Sequence, residues 1–280
     1  MQVIGVVGYS GVGKTTLVER LVERLAERGT VGTIKHLGHE GDIDTEGKDT
    51  ARHRAAGAEV TYGLTDDAGW FATGAERGLD ETLDAMAADY DYAVVESFTD
   101  ASLPHVRLGE RESGGDVVYE AEEAGAVDIE ELVEVVEGLT PYESLESLVA
   151  QVKRSPAAAY SGAIATFTGR VRARDDPEAE DPDEQRTTHL EFERYDEVAA
   201  ERRRTIREDL EAREGVLEVL LYHRTGVVQA GDDIVHVVVL AGHRAEAFEA
   251  VSDGIDRLKE EVPIFKKEVT VEDTVWAHER

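Results

Sequence analysis

Read for the spacing of apolar and polar positions, the chain opens on a short buried-type strand at residues 3–7. A glycine-rich turn then leads into an amphipathic helix over 15–28 and a second strand at 31–35. Short helices follow at 50–56 and 79–88, a strand with a polar end at 92–96, and a closing helix at 129–136. This alternation over 1–138 implies a mainly parallel sheet with helices on its faces, an α/β domain. Around 138–141 the pattern resets. A helix over 143–153 and a strand over 160–167 precede an acidic, proline-containing segment, 174–186, that has no apolar periodicity and reads as a loop. Beyond it come a strand at 190–192, a helix over 197–213, strands at 217–224 and 234–240, a helix over 245–261 and a strand at 264–271. Strands followed by long helices suggest an α+β domain over 143–280, with no internal repeat.

Composition sharpens this picture. The 280 residues hold 61 acidic against 30 basic side chains, a net charge of −31 that repels nucleic acid and anionic membranes alike. Adaptation to high salt, where self-repulsion is screened, accounts for such a charge. Cysteine is absent, which excludes disulfides, thiolate metal sites and a cysteine nucleophile, so any sulfur handled here is delivered by another molecule. The start of the chain runs directly into a strand, and no apolar run reaches 18 residues. These features predict no signal peptide, no membrane span and a cytoplasmic location.

Lysine is scarce. Of seven, Lys14, Lys35 and Lys48 fall in short motifs near the start, and Lys259, Lys266 and Lys267 crowd the end, leaving Lys153 apart. The segment from Gly8 to Thr15 fits G-x-x-x-x-G-K-[ST] between a predicted strand and helix. Gly8, Gly11 and Gly13 let backbone N–H groups close round phosphate oxygens, and the helix start adds partial positive charge. Lys14 would reach the β- and γ-phosphates, the Thr15 hydroxyl would ligate Mg²⁺, and Thr16 completes the nucleotide-binding set. A metal-side carboxylate is expected at the end of another strand, and Glu96 is the candidate, the alternative being a solvated strand-end acid. Lys35 and His36 end a strand near where sheet-top ligands bind, or lie there by coincidence. No N/T-K-x-D motif is present, so spacing leaves GTP and ATP both open.

The strings GYSGVGKTTL, TIKHLGHE, DIDTEGKDTARHRAAGA and AVVESF resemble the molybdopterin-guanine dinucleotide biosynthesis adaptor protein B family. That resemblance implies a P-loop NTPase fold, GTP as the nucleotide, and assistance in attaching GMP to molybdopterin. It also implies that Lys48, Asp49, Arg52 and His53 line the region near the loop. Two departures stand out: the family's His-rich stretch is thinned to His36 and His39, and its V-E-G-F reads Val95-Glu96-Ser97-Phe98.

In the second half, cations gather locally in a chain of net charge −31. Phe167 to Arg172 ends a strand in basic residues, Tyr222 to Gly226 carries His223 and Arg224, and Gly242-His243-Arg244 sits where a strand yields to a helix. Leu258 to Glu268 crosses a helix end, a proline break and a strand start. Arg172, His243, Arg244, Lys259 and Lys266 would together make a positive pocket for an anionic substrate. Crowded ammonium groups favour the neutral form of one of them, giving a proton-transfer group or amine catalyst. Strand alternation sets Lys266 with Ile264, and Lys267 with Phe265 and Val269. The bland readings are a polar helix start for His243 and Arg244 and a charge-protected strand edge for Lys266 and Lys267.

The spaced set F-x-G-x-V-R, H-R-x-G, G-H-R and K-x-x-x-P-I-[WF]-K-K-E resembles the molybdopterin synthase catalytic (large) subunit over 143–280, with Phe265 in place of the usual Trp. The fold class is therefore an α/β P-loop NTPase domain (1–138) followed by an α+β molybdopterin synthase large-subunit domain (143–280). The resemblance implies conversion of cyclic pyranopterin monophosphate to the dithiolene of molybdopterin. Sulfur would come from the thiocarboxylate tail of a small ubiquitin-like subunit, with a homodimer at the centre of a heterotetramer. It makes Lys259 and Lys266 catalytic and gives Arg172, His243, Arg244 and Lys267 to substrate, with no cofactor in this half. The leading expectation is a fusion of two steps of one pathway. A non-catalytic GTP-dependent adaptor is the alternative, opposed by the intact lysines, and a small-molecule P-loop kinase ranks last.

Overall fold

A computed structural model describes residues 1–37, 49–67, 69–74, 77–174, 186–194, 196–270 and 274–277. His39, Lys48 and most of the acidic segment between 174 and 186 lie outside the described residues. The chain divides into two compact units, Met1–Ser144 and Leu145–Arg280.

In the first unit, strands β1 (Gln2–Gly8), β2 (Val31–Lys35), β5 (Tyr92–Glu96), β6 (His105–Leu108) and β7 (Val117–Ala121) form one sheet in the order β2-β5-β1-β6-β7. Every pairing in it is parallel. Helices α1 (Lys14–Ala26) and α4 (Ile129–Glu137) share one core with Ile4, Val6 and Val94. Helix α3 (Leu79–Ala87) shares another with Val3, Ala93 and Val95. Neighbouring strand residues thus serve opposite faces, which is why β1 and β5 read as near-continuous apolar runs. Asp128 caps α4 by accepting from the N–H groups of Glu130 (3.1 Å) and Glu131 (3.3 Å). Arg24 of α1 and Arg28, two residues past its end, pair with Glu130 and Glu137 of α4, each at 2.6 Å.

Short helix α2 (Asp49–Ala55) packs against a hairpin of β3 (Val60–Leu64) and β4 (Trp70–Gly74). Sequence patterning did not predict β3, β4, β6 or β7. The hairpin alternates in and out, but Tyr62, Leu64 and Trp70 lie on its exposed face while Thr61 and Gly63 lie on the covered one, so hydropathy does not track burial there. In β6 and β7, Arg107 and Glu120 interrupt the apolar run and bond each other.

The second unit holds α5 (Leu145–Arg154), β8 (Ala163–Arg170), β9 (Thr187–Arg194), α6 (Asp196–Glu211), β10 (Val216–His223), β11 (Gly226–Gln229), β12 (Asp233–Ala241), α7 (Arg244–Glu261), β13 (Ile264–Thr270) and β14 (Thr274–Ala277). Two antiparallel sheets result, β10-β12-β8 and β11-β9-β13-β14. Val235, Val237 and Val239 of β12 face α6 and α7, whereas Val238 and Leu240 face α5. Among the described residues no helix is long and apolar enough to cross a membrane.

Two features of the first unit carry measurable consequences. His105 on β6 is fully buried opposite Gly5, and its Nδ1 bonds the Ser113 hydroxyl, which donates to the Gly115 carbonyl at 3.2 Å. A Cβ on Gly5 would collide with the imidazole ring. Burial pushes the His105 imidazole below its ordinary 6.5, offset in part by the Phe98 backbone. Its stabilising contribution is therefore complete above about pH 6.5 and declines as pH falls from there toward the depressed folded value, because only the unfolded chain takes up the proton. Thermal unfolding should show a midpoint that drops between about pH 7 and pH 5, with a shallower drop in His105→Gln. Ser97, which follows β5, has φ 71°, the left-handed region where a side chain is strained. Ser97→Gly should raise stability by about 1 kcal/mol, read as a midpoint roughly 3 °C higher.

Candidate functional site

In the first unit the parallel register brings three strand ends to one edge of the sheet. Val6 pairs with Glu96 across β1 and β5, and Lys35 pairs with the same Glu96 across β2 and β5. The chain leaves β1 at Gly8, turns through Gly11 (φ 91°) and Gly13 (φ 88°), and enters α1 at Lys14. Those left-handed angles suit glycine, and a Cβ on Gly13 would press on Ala124 Cβ at 2.8 Å. The loop thus closes over the open N–H groups of the first turn of α1.

Around this loop, Lys14 Nζ donates to the carbonyls of Gly8 (3.0 Å) and Tyr9 (2.9 Å). Thr15 Oγ1 donates to Glu96 Oε1 at 2.8 Å, which brings the two expected metal-side groups together. Glu96 is buried. Its charge is met by Lys35, whose Nζ lies 3.2 Å from Glu96 Oε1 and 3.3 Å from Thr15 Oγ1. Sequence reasoning put Lys35 near this edge without giving it a partner. Thr16 is exposed on α1. The Arg111 guanidinium stands 5.6 Å from the centre of the Tyr9 ring, a contact with no signature in the sequence. Asp49 and Arg52 pair with each other at 3.4 Å on α2, with His53 next to them.

A cation already stands where the Thr15 hydroxyl and the Glu96 carboxylate converge. Mg²⁺ is commonly held through few protein oxygens, water and substrate phosphates, so one hydroxyl and one buried carboxylate fit such an ion.

The second unit encloses a cavity of about 470 Å³ between its two sheets and the last turns of α7. From β8 and the residues after it come Phe167, Arg170 and Arg172; from α7, Leu258 and Lys259; from β13, Ile264, Lys266 and Glu268. Phe192 and His223 close a wall, their rings edge to face at 5.1 Å. His223 Nδ1 donates to the Arg224 carbonyl at 2.6 Å, which fixes where one ring proton sits. The chain must turn sharply after Lys259, because Pro263 offers no N–H to a continuing helix. Val262 is already extended there (ψ 118°), as the residue before proline must be. Arg257 braces this helix end by bonding Glu261 at 2.5 Å and Asp209 of α6 at 2.9 Å. The bond to Arg257 holds the Glu261 carboxyl below the usual carboxylate range.

Of the five cations expected in one pocket, Arg172, Lys259 and Lys266 line this cavity, and His243 and Arg244 do not. Helix geometry is the reason. Arg244 opens α7 and Lys259 lies in its last turn, fifteen positions and about 22 Å along the axis. Lys267 is also absent from the lining. It sits on the opposite face of β13 from Lys266, and its Nζ bonds Glu191 of β9 at 2.9 Å. That bond is the main cause that holds the Glu191 carboxyl below the usual carboxylate range. Arg170 and Glu268 join the cavity without having been singled out. For Glu268 the signal was the strand period that placed Lys266, two positions along β13; Arg170 ends β8, where period two no longer sorts the faces.

The sequence profile of the Molybdopterin guanine dinucleotide synthesis protein B family matches residues 3–130, and that of the MoaE protein family matches 141–261. A "Probable molybdopterin synthase" of Haloferax volcanii is 48% identical over 280 residues, covering 100% of both chains. The "Molybdopterin synthase catalytic subunit" of Pyrococcus abyssi is 35% identical over 136 residues, 48% of this chain and 82% of that one. A "Probable molybdopterin-guanine dinucleotide biosynthesis adapter protein" of Bacillus subtilis is 40% identical over 112 residues, 37% of this chain and 62% of that one. With a P-loop unit ahead of a unit whose lysines meet in a cationic cavity, the chain belongs to the molybdopterin synthase family, enzymes of molybdenum cofactor biosynthesis.

Proposed function

We propose that the second unit converts cyclic pyranopterin monophosphate to molybdopterin, with sulfur from a thiocarboxylated small subunit, and that the first unit binds GTP with Mg²⁺ for guanine dinucleotide formation. The observation that carries the first half is the convergence of Lys259, from a helix, and Lys266, from a strand, on one cavity that also holds Arg170 and Arg172. In a chain of charge −31 such a gathering favours a small anion, and the arginines suit its phosphate by charge-assisted hydrogen bonds. Lys259 and Lys266 then move protons at the reacting carbons or at the adduct with the sulfur carrier. The sulfur comes from a partner because the chain has no cysteine to supply it.

For the nucleotide, Gly8, Gly11 and Gly13 shape the loop, Lys14 meets phosphate, and Thr15 with Glu96 would hold Mg²⁺. The ion would neutralise charge on the phosphates.

Assembly as a homodimer fits the separation along α7. His243 and Arg244, too far from the cavity of their own chain, can serve the cavity of a second copy related by a two-fold axis. Lys267, bound to Glu191, then supports β13 rather than touching substrate.

Single-turnover conversion of cyclic pyranopterin monophosphate, with a thiocarboxylated small subunit at high salt, tests the reading. Lys259→Ala and Lys266→Ala should each lower the rate by about 100-fold or more with the unfolding midpoint unchanged. Wild-type rates in both variants would leave the adaptor reading in its place. Co-assembly of Lys259→Ala with Arg244→Ala chains should restore about a quarter of wild-type activity, since mixed dimers keep one intact site. Absence of restoration would place both groups in one chain's site.

A further inference from the structure

Glu96 is a buried carboxylate that keeps two partners in close range, the Thr15 hydroxyl at 2.8 Å and the Lys35 ammonium at 3.2 Å. The same ammonium is 3.3 Å from Thr15 Oγ1, so all three groups meet at one point. Thr15 and Glu96 are also the pair that suits the metal ion of a bound nucleotide. Two cations do not share that point, because like charges within about 4 Å repel each other and compete for the one carboxylate.

The two charged members of the cluster differ in freedom to move. Glu96 sits inside the sheet, held by β1 on one side and β2 on the other, with its side chain 8% exposed. Lys35 is the last residue of β2, and its side chain is 49% exposed on a flexible four-carbon stem. When the metal-binding point fills, Lys35 is the group that leaves. Having left a carboxylate, its ammonium needs a new anion. The one that a nucleoside triphosphate brings to this edge of the sheet is its terminal phosphate. A diphosphate brings none there.

We infer that Lys35 reads the number of phosphates: it neutralises Glu96 in the metal-free loop and passes to the terminal phosphate of a magnesium-bound nucleoside triphosphate, so that triphosphate is held in preference to diphosphate. This rests on the nucleotide-binding reading above. It gives Lys35 a role separate from Lys14, whose ammonium is bonded to the loop carbonyls of Gly8 and Tyr9. It also makes the effect of metal depend on the nucleotide. With triphosphate, Lys35 exchanges one anion for another; with diphosphate, filling the metal point strands its charge.

Calorimetric titration of the full chain with GTP and with GDP, each with MgCl₂ and with EDTA, separates the outcomes. In the wild type Mg²⁺ should strengthen GTP binding and leave GDP binding nearly unchanged. Lys35→Met should lower the GTP-over-GDP preference roughly tenfold, the scale of one charge-assisted hydrogen bond, and Mg²⁺ should now strengthen GDP binding too. Lys35→Arg, which keeps the charge, should retain most of the preference. Equal loss of both affinities in Lys35→Met, or no loss of either, overturns the inference while leaving nucleotide binding intact. A wild-type chain that binds neither nucleotide overturns the underlying reading, and this inference with it. Thermal melts of each variant distinguish loss of binding from loss of fold.

Discussion

The break at Pro263 is the constraint on which the catalytic half depends. A helix that ran on would carry Lys266 along the same cylinder as Lys259, and no strand would remain to pair with β9. Because the ring removes an N–H and forces Val262 into extended geometry, α7 ends and β13 begins within a few residues. One lysine is then delivered by the floor of a helix and the other by the face of a strand. Arg257 secures the helix side by joining α7 to α6, and the β13–β9 register secures the strand side.

A comparable economy operates in the first unit. The parallel register of β5 between β1 and β2 fixes Glu96 level with the phosphate loop and with Lys35. No long loop is needed to bring them together, since the ends of parallel strands meet at one edge by topology. The same register explains why Ser97 must turn left-handed. Its N–H still reaches the Val6 carbonyl at 3.1 Å while the chain leaves the sheet.

Long periodic elements were legible in the sequence because burial on one or both faces writes itself into residue order. α1, α7, β1, β5 and β12 are of this kind, and the all-parallel first sheet followed from their alternation. Short strands β6 and β7 were not, since four or five residues interrupted by a salt-bridged Arg107 and Glu120 carry no clear period. The hairpin β3–β4 puts Tyr62, Leu64 and Trp70 on its exposed face and Thr61 on the covered one, so its hydropathy runs against its burial. At the sites, the period of β13 put Lys266 and Lys267 on opposite faces, as they lie here, although the motif resemblance gave Lys267 to substrate. What local motifs could not give was length: G-H-R and the lysine motif look like one pocket until α7 is laid between them as a rod. Lys35 shows the reverse case, a partnership created by strand pairing that no linear spacing encodes.

The cationic cavity has an unusual setting. Arg170, Arg172, Lys259 and Lys266 outnumber Glu268 in its lining, and even with Arg170 paired to Asp233 at 3.2 Å they leave a small positive island in a molecule of charge −31. A small anion at a distance meets the field of the whole chain and is turned away; only within about 10 Å, the Debye length at 0.1 M salt, does the island prevail. Added salt erases the far repulsion before it weakens the short-range bonds inside the cavity. Encounter should therefore quicken as ionic strength rises, opposite to the usual behaviour of an enzyme that attracts its anion by net charge.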